Sequence, residues 1–127
     1  MKLNYCMAAK AVVEIVFGVC FVLVPVRTGS LFGMELTESG ILMGQLFGTT
    51  FIFGSIVLWL ARNVSYDEKA GQAIITAVVM SNVIGFIVTL MATLSNVLNA
   101  LGWLPVVLYL VFCLGFAYFL FLKPKAA

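Results

Sequence analysis

The chain has 127 residues, of which 64% are hydrophobic and only 9% charged, with a mean hydropathy of +1.19 and a formal net charge of +2. A soluble core of this length has no use for so much apolar surface, and so small a net charge argues against a nucleic-acid partner. Histidine is absent; with it go the commonest metal ligand, the usual haem ligand and the default acid–base catalyst, so neither a cofactor nor enzymatic chemistry is expected.

Four apolar segments are each long enough to cross roughly 30 Å of hydrocarbon, and together they take up nearly the whole chain. The expected fold is therefore all-α: an integral membrane four-helix bundle forming one transmembrane domain over residues 1–127. The first span covers about residues 3–25, where Pro25 disfavours helical geometry in the residue before it. Its start, Met1 and Lys2 ahead of apolar sequence, looks superficially like a signal peptide. We expect a retained helix instead, because Lys10 and Glu14 interrupt the apolar run and Val24-Pro25-Val26-Arg27 is no small-residue cleavage site.

The longest loop is expected from Arg27 to Ser39, with Leu31, Phe32 and Met34 lying in the interface as a short amphipathic turn. Thr37 or Ser39 can cap the second span, and Glu35 and Glu38 sit where the helix dipole favours anions. That span covers about residues 40–61, roughly 33 Å at about 1.5 Å per residue, with Trp59 placed as an interface anchor. Ser65 and Glu68 match the capping-box spacing and predict a third helix over about residues 66–98 that begins before the membrane does. A turn without charges follows through Asn96, Asn99 and Gly102. The fourth span covers about residues 105–122, with Pro105 in the first turn, where a missing backbone donor costs nothing.

Lys2, Lys10, Arg62, Lys69, Lys123 and Lys125 fall on one side of this topology and Arg27 alone on the other. The basic excess predicts cytoplasmic termini at both ends, in the plasma membrane of a prokaryote. The sequon Asn63-Val64-Ser65 would then face the cytoplasm and stay unglycosylated. Cys6, Cys20 and Cys113 are odd in number and lie in or beside apolar segments, so they read as reduced packing residues.

Within a membrane, close helix packing depends on small residues that let backbones approach. The second span carries Gly40, Gly44 and Gly48 at four-residue spacing, and the third carries Ala73, Ala77, Ser81, Gly85, Thr89 and Thr93 at the same spacing. These stripes are expected to pack the second and third spans on each other or on the first and fourth. The sharper alternative gives one stripe to a second copy or another membrane protein.

Glu14 is the one acidic residue inside a predicted span, and an intramembrane carboxylate is costly enough to mark a candidate site. Lys10, one turn earlier on the same face, is its natural partner. Two depths stay open: a span entering at Ala11 leaves both charges near the interface, whereas one entering at Leu3 puts Glu14 near the middle. A polar site formed by Glu14, Lys10, Gln45 and Asn82 requires their helix faces to converge, which spacing does not decide. Trp103, Tyr109 and Tyr118 read as belt or packing residues. A slot for a lipid or isoprenoid tail is their functional counterpart.

The Leu31-Phe32-Gly33 loop, the Gly-rich second span from Gly44 to Gly54 and the Asn99-Ala100-Leu101-Gly102-Trp103 turn resemble the DoxX-like group of small four-helix membrane proteins. The resemblance covers most of the chain, implies a four-helix bundle and an accessory role in a membrane complex, and transfers no catalytic residue. Glu14 within Ala11-Val12-Val13-Glu14-Ile15 is also similar in context to the membrane-embedded glutamate of small multidrug exporters, though Lys10 and the other helices depart from that family. The leading expectation is a non-enzymatic membrane protein that binds another membrane component, as an accessory subunit or through a lipid or isoprenoid ligand, with membrane lipids, another membrane protein or a second copy as partners. The alternative is a homodimeric, proton-coupled small-molecule transporter using Glu14.

Overall fold

The computed structural model describes residues 2–65 and 67–122, and it is all-α, with no strand among the described residues. The helices are α1 (Leu3–Leu23), α2 (Pro25–Leu31), α3 (Glu38–Ala61), α4 (Lys69–Leu94) and α5 (Trp103–Ala117). A 3-10 turn at Ala100–Gly102 leads into α5, and a π turn at Tyr118–Leu122 extends it. Four helical runs, Leu3–Leu23, Glu38–Ala61, Lys69–Leu94 and Ala100–Leu122, are long and apolar enough to cross a membrane. Lys123 and Lys125, which entered the charge asymmetry, lie outside the described residues, as does Tyr66.

Proline chemistry shapes the first connection. Val24 leaves helical geometry at φ −134° and ψ 56°, as expected ahead of Pro25, and Pro25 then opens α2 as its first residue. The segment from Arg27 to Leu31 therefore belongs to a short helix, and only the residues after it form a loop. The Thr28 hydroxyl ties this helix back to α1, lying 3.0 Å from the Cys20 carbonyl and 2.9 Å from that of Val24.

Thr37 caps α3 by accepting from the Gly40 amide at 3.3 Å. The capping box ahead of α4 does not form. Ser65 Oγ accepts instead from the Asp67 amide and the Ser65 carbonyl from the Glu68 amide, a local turn that competes with the cap, so α4 starts at Lys69. Its other end falls at Leu94, because Asn96 adopts left-handed geometry at φ 58° and turns the Val97 and Leu98 amides back to the Ala92 carbonyl.

The helices associate as two antiparallel hairpins, α1 with α3 and α4 with α5, which touch each other far less than their members do. Gly18 and Gly48 form the crossing of the first hairpin. A Cβ on either would stand 2.7–2.8 Å from the other's carbonyl oxygen, so the backbones meet where only glycine fits. In the second hairpin the Tyr109 ring lies directly on Gly85.

Of the small-residue stripes, Gly44 and Gly48 thus pack on α1 and Gly85 on α5, and none of these three glycines meets the other stripe. Gly44 approaches Phe21 and Pro25, while Gly40 is nearest its own Leu36 and Thr37. Ala77 and Ser81 are exposed, because α4 turns Ile75, Val78, Val79 and Asn82 inward instead.

The core of Cys6, Met7, Ala11, Leu58, Ala61, Ile75, Val78, Val79, Phe116 and Phe119 joins both hairpins, and every member lies in the half of the bundle that carries the chain termini. That half is filled with side chains. The other half is not.

Candidate ligand-binding cavity

A cavity of about 210 Å³ opens between the hairpins, from the middle of the bundle toward the end carrying α2 and the α4–α5 turn. Its exposed lining is almost wholly apolar, with three polar side chains bordering the inner end. Lys10 Nζ lies 2.8 Å from Glu14 Oε1 and donates to Asn82 Oδ1 at 3.2 Å, joining α1 to α4. Asn82, fully buried, donates from Nδ2 to the Val78 carbonyl at 2.7 Å, which orients its amide oxygen toward the lysine.

Lys10 and Glu14 are only 5% and 9% exposed, so the pair is buried and does not snorkel at a helix end. Because α1 starts at Leu3 and is 21 residues long, Glu14 stands about 17 Å along a helix of about 31 Å, close to its midpoint. Lys10 therefore contributes nothing to the basic residues clustered at the terminal end, where Lys2, Arg62 and Lys69 remain against Arg27 at the other end.

The carboxylate fits because α3 offers no side chain opposite it. A Cβ on Gly54 would stand 2.7 Å from Glu14 Oε2. Oε1 is engaged by Lys10, whereas Oε2 is buried without a hydrogen-bond partner among the described residues. On its remaining side the ammonium faces rings, 5.2 Å from the Phe112 centroid and 6.0 Å from that of Tyr109, where the ring quadrupole attracts it.

Gln45 does not join this site. In the antiparallel hairpin Ala11 faces Ser55, whose hydroxyl donates to its carbonyl at 2.8 Å, Glu14 faces Gly54, and Gly18 faces Gly48. That register places Gln45 opposite Val22, to whose carbonyl it donates at 3.2 Å. Gln45 precedes Gly54 by nine positions, or about 13 Å of helix.

Beyond the ion pair the walls are apolar. Phe17 and Phe21 of α1 and Phe47 and Phe51 of α3 form a run of rings with neighbouring centroids 4.5–6.2 Å apart, facing Val88, Thr89, Ala92, Leu108 and Tyr109 of the second hairpin. Phe32, Met34 and Leu98 stand at the rim. Asn99 closes the rim by linking the hairpins: its side-chain amide donates to the Leu31 carbonyl and its backbone amide to the Phe32 carbonyl, both at 2.9 Å. Gly33, at φ 79°, passes so close to the Asn99 side chain that a Cβ there would meet it at 3.0 Å. Asn99 Oδ1 accepts from the Leu101 amide at 3.0 Å and so caps the turn into α5.

Reasoning from sequence named Glu14, Lys10 and Asn82, and offered Trp103, Tyr109 and Tyr118 as lining for a slot, of which Tyr109 lines this cavity; it missed Gly18, Gly54, and Asn99 as the rim tie. Glycines isolated among bulky helical residues were the available signal for the first two. For Asn99 as the tie between the hairpins the spacing carried none.

All three cysteines are free thiols, with Cys6 inside the terminal core. Compared with protein-family models, with curated proteins and with solved structures, the chain finds no match.

Proposed function

We propose that this chain is a multi-pass membrane protein that holds one small hydrophobic or amphiphilic molecule between its two helix hairpins, without transforming it. Membrane residence is supported by the outer surface: bulky apolar residues are exposed along every long helix, among them Val12, Val16, Phe53, Leu60, Ile84, Met91, Val107 and Leu114. A soluble monomer does not present such a belt to water. The basic residues at the terminal end favour cytoplasmic termini, and a prokaryotic plasma membrane fits a chain of this kind.

The observation that carries the binding reading is the cavity itself, an apolar chamber with a few convergent polar groups at one end, the usual make-up of a small-molecule site. Glu14 already held by Lys10 argues for binding over proton-coupled exchange, since a cationic substrate would have to displace the lysine. In lipid-preserving particles taken from its own membrane, native mass spectrometry is expected to show one small molecule per chain. Ala92→Phe, which fills the cavity from α4, is expected to lose it while keeping the same helical circular dichroism. Wild-type protein that carries no such molecule would refute the reading.

An accessory role in a complex has separate support in the exposed Ala77 and Ser81 face of α4, which offers a smooth surface to a partner helix. Bulky substitutions there would disrupt a partner contact and leave the cavity unaltered.

A further inference from the structure

Resting on the cavity-binding reading, we infer that the ligand is an uncharged, hydroxyl-bearing amphiphile of one ring or one chain, seated with its hydroxyl innermost against Lys10 and Glu14. Size sets the first limit. A dry apolar cavity of about 150 Å³ holds a benzene molecule, so about 210 Å³ takes one ring with a short substituent or the end of one chain. Two acyl chains do not fit.

Charge sets the second limit. At the inner end the ammonium of Lys10 and the carboxylate of Glu14 cancel at 2.8 Å, in a site closed to solvent. A phosphate, carboxylate or ammonium head would bring one uncompensated charge into a low-dielectric interior, where the penalty is severe. The head is therefore neutral.

The unused hydrogen-bonding capacity sets the third. An ammonium has three donors; Glu14 Oε1 and Asn82 Oδ1 engage two of them, and the third has only the Phe112 and Tyr109 rings, which leaves it without an oxygen acceptor. Glu14 Oε2 is a buried acceptor with no partner among the described residues. It rests against Gly54 and shows essentially no surface to the cavity as it stands; the soft terminal torsion of the carboxyl lets it turn toward an incoming group. A hydroxyl meets both needs at once, donating to Oε2 and accepting from Nζ, whereas a ketone or ether can only accept and a hydrocarbon does neither. The aromatic walls then enclose the apolar part, which points toward Phe32, Met34 and Leu98 at the rim. This polarity is opposite to that of an ordinary membrane lipid, whose head stays at the water interface.

The test titrates 1-dodecanol, dodecane, dodecanoate and dodecylammonium into the full-length protein in detergent and follows the 1:1 adduct by native mass spectrometry, with Ala92→Phe as the blocked control. Dodecanol is expected to bind wild type at least tenfold more tightly than the other three. The double variant Lys10→Met with Glu14→Leu, which keeps the interior neutral, is expected to bind dodecanol and dodecane alike. Equal binding of all four chains by wild type, or preference for a charged head, would overturn the hydroxyl assignment and leave the cavity reading standing. Failure of every chain to bind would overturn both.

Discussion

At the scale of single residues the buried pair Lys10 and Glu14 is costly to disturb. A buried ion pair adds little net stability, because desolvation offsets attraction, yet removing one partner strands the other's charge. Glu14→Gln and Lys10→Met are each expected to lower stability by about 3–5 kcal/mol, and Lys10→Met with Glu14→Leu by much less than either. Equilibrium unfolding in mixed micelles measures all three; additive losses would mean that the two groups act independently. The pair could be read from sequence since Lys10 and Glu14 lie one helical turn apart. Asn82 was legible only as a polar residue inside a span, because what brings it to Lys10 is the placement of α4 against α1. Gln45 looked equally suitable, and the register of α1 against α3 is what removes it.

Among elements, the four long apolar helices were legible from composition and length, as was a cap at Thr37 or Ser39, of which Thr37 serves. Less visible were the places where local chemistry has two outcomes: Pro25, which ends one helix and begins another, and Ser65, whose hydroxyl serves a turn instead of a capping box. The pairing of helices was not legible at all. A glycine stripe says that something approaches closely but not which helix does, and a single unremarkable glycine, Gly18, turned out to be the partner of Gly48. This makes two glycines of similar appearance unequal. Gly48→Ala would drive a methyl group into the Gly18 backbone oxygen and is expected to cost about 1–3 kcal/mol. Gly115 has nothing within 4 Å of its would-be Cβ, so Gly115→Ala is expected to stabilise α5 by roughly 0.5–1 kcal/mol through helix propensity alone. Thermal unfolding of the two variants side by side checks the contrast, and equal effects would contradict the close crossing at Gly18 and Gly48.

Over the whole molecule, one half is packed by the Phe116 and Phe119 core and the other is held open around a cavity whose rim depends on Asn99. Asn99→Ala removes the side-chain bond to the Leu31 carbonyl and the cap on the turn into α5. Amide hydrogen exchange is expected to rise several-fold across α2 and the loop after it while staying unchanged in the terminal half of α4. Uniform acceleration through all helices would mean instead that the rim supports global stability. This division between a filled half and a hollow one was beyond sequence reasoning, since aromatic and aliphatic residues are abundant in both halves and only their three-dimensional placement leaves the gap.

Two stiff arms joined by a tight core at one end behave as tweezers. With the core as pivot and arms of about 20 Å beyond it, a rotation of about 6° separates the tips by about 2 Å, while side chains near the pivot shift by only a fraction of that. Little apolar contact has to break for such a swing, because the arms barely touch along the hollow half. Lys10–Asn82 joins the hairpins near the pivot and the two Asn99 bonds join them at the tips; on the binding reading, a molecule passing in or out would undo the latch at the tips and not unpack a bundle.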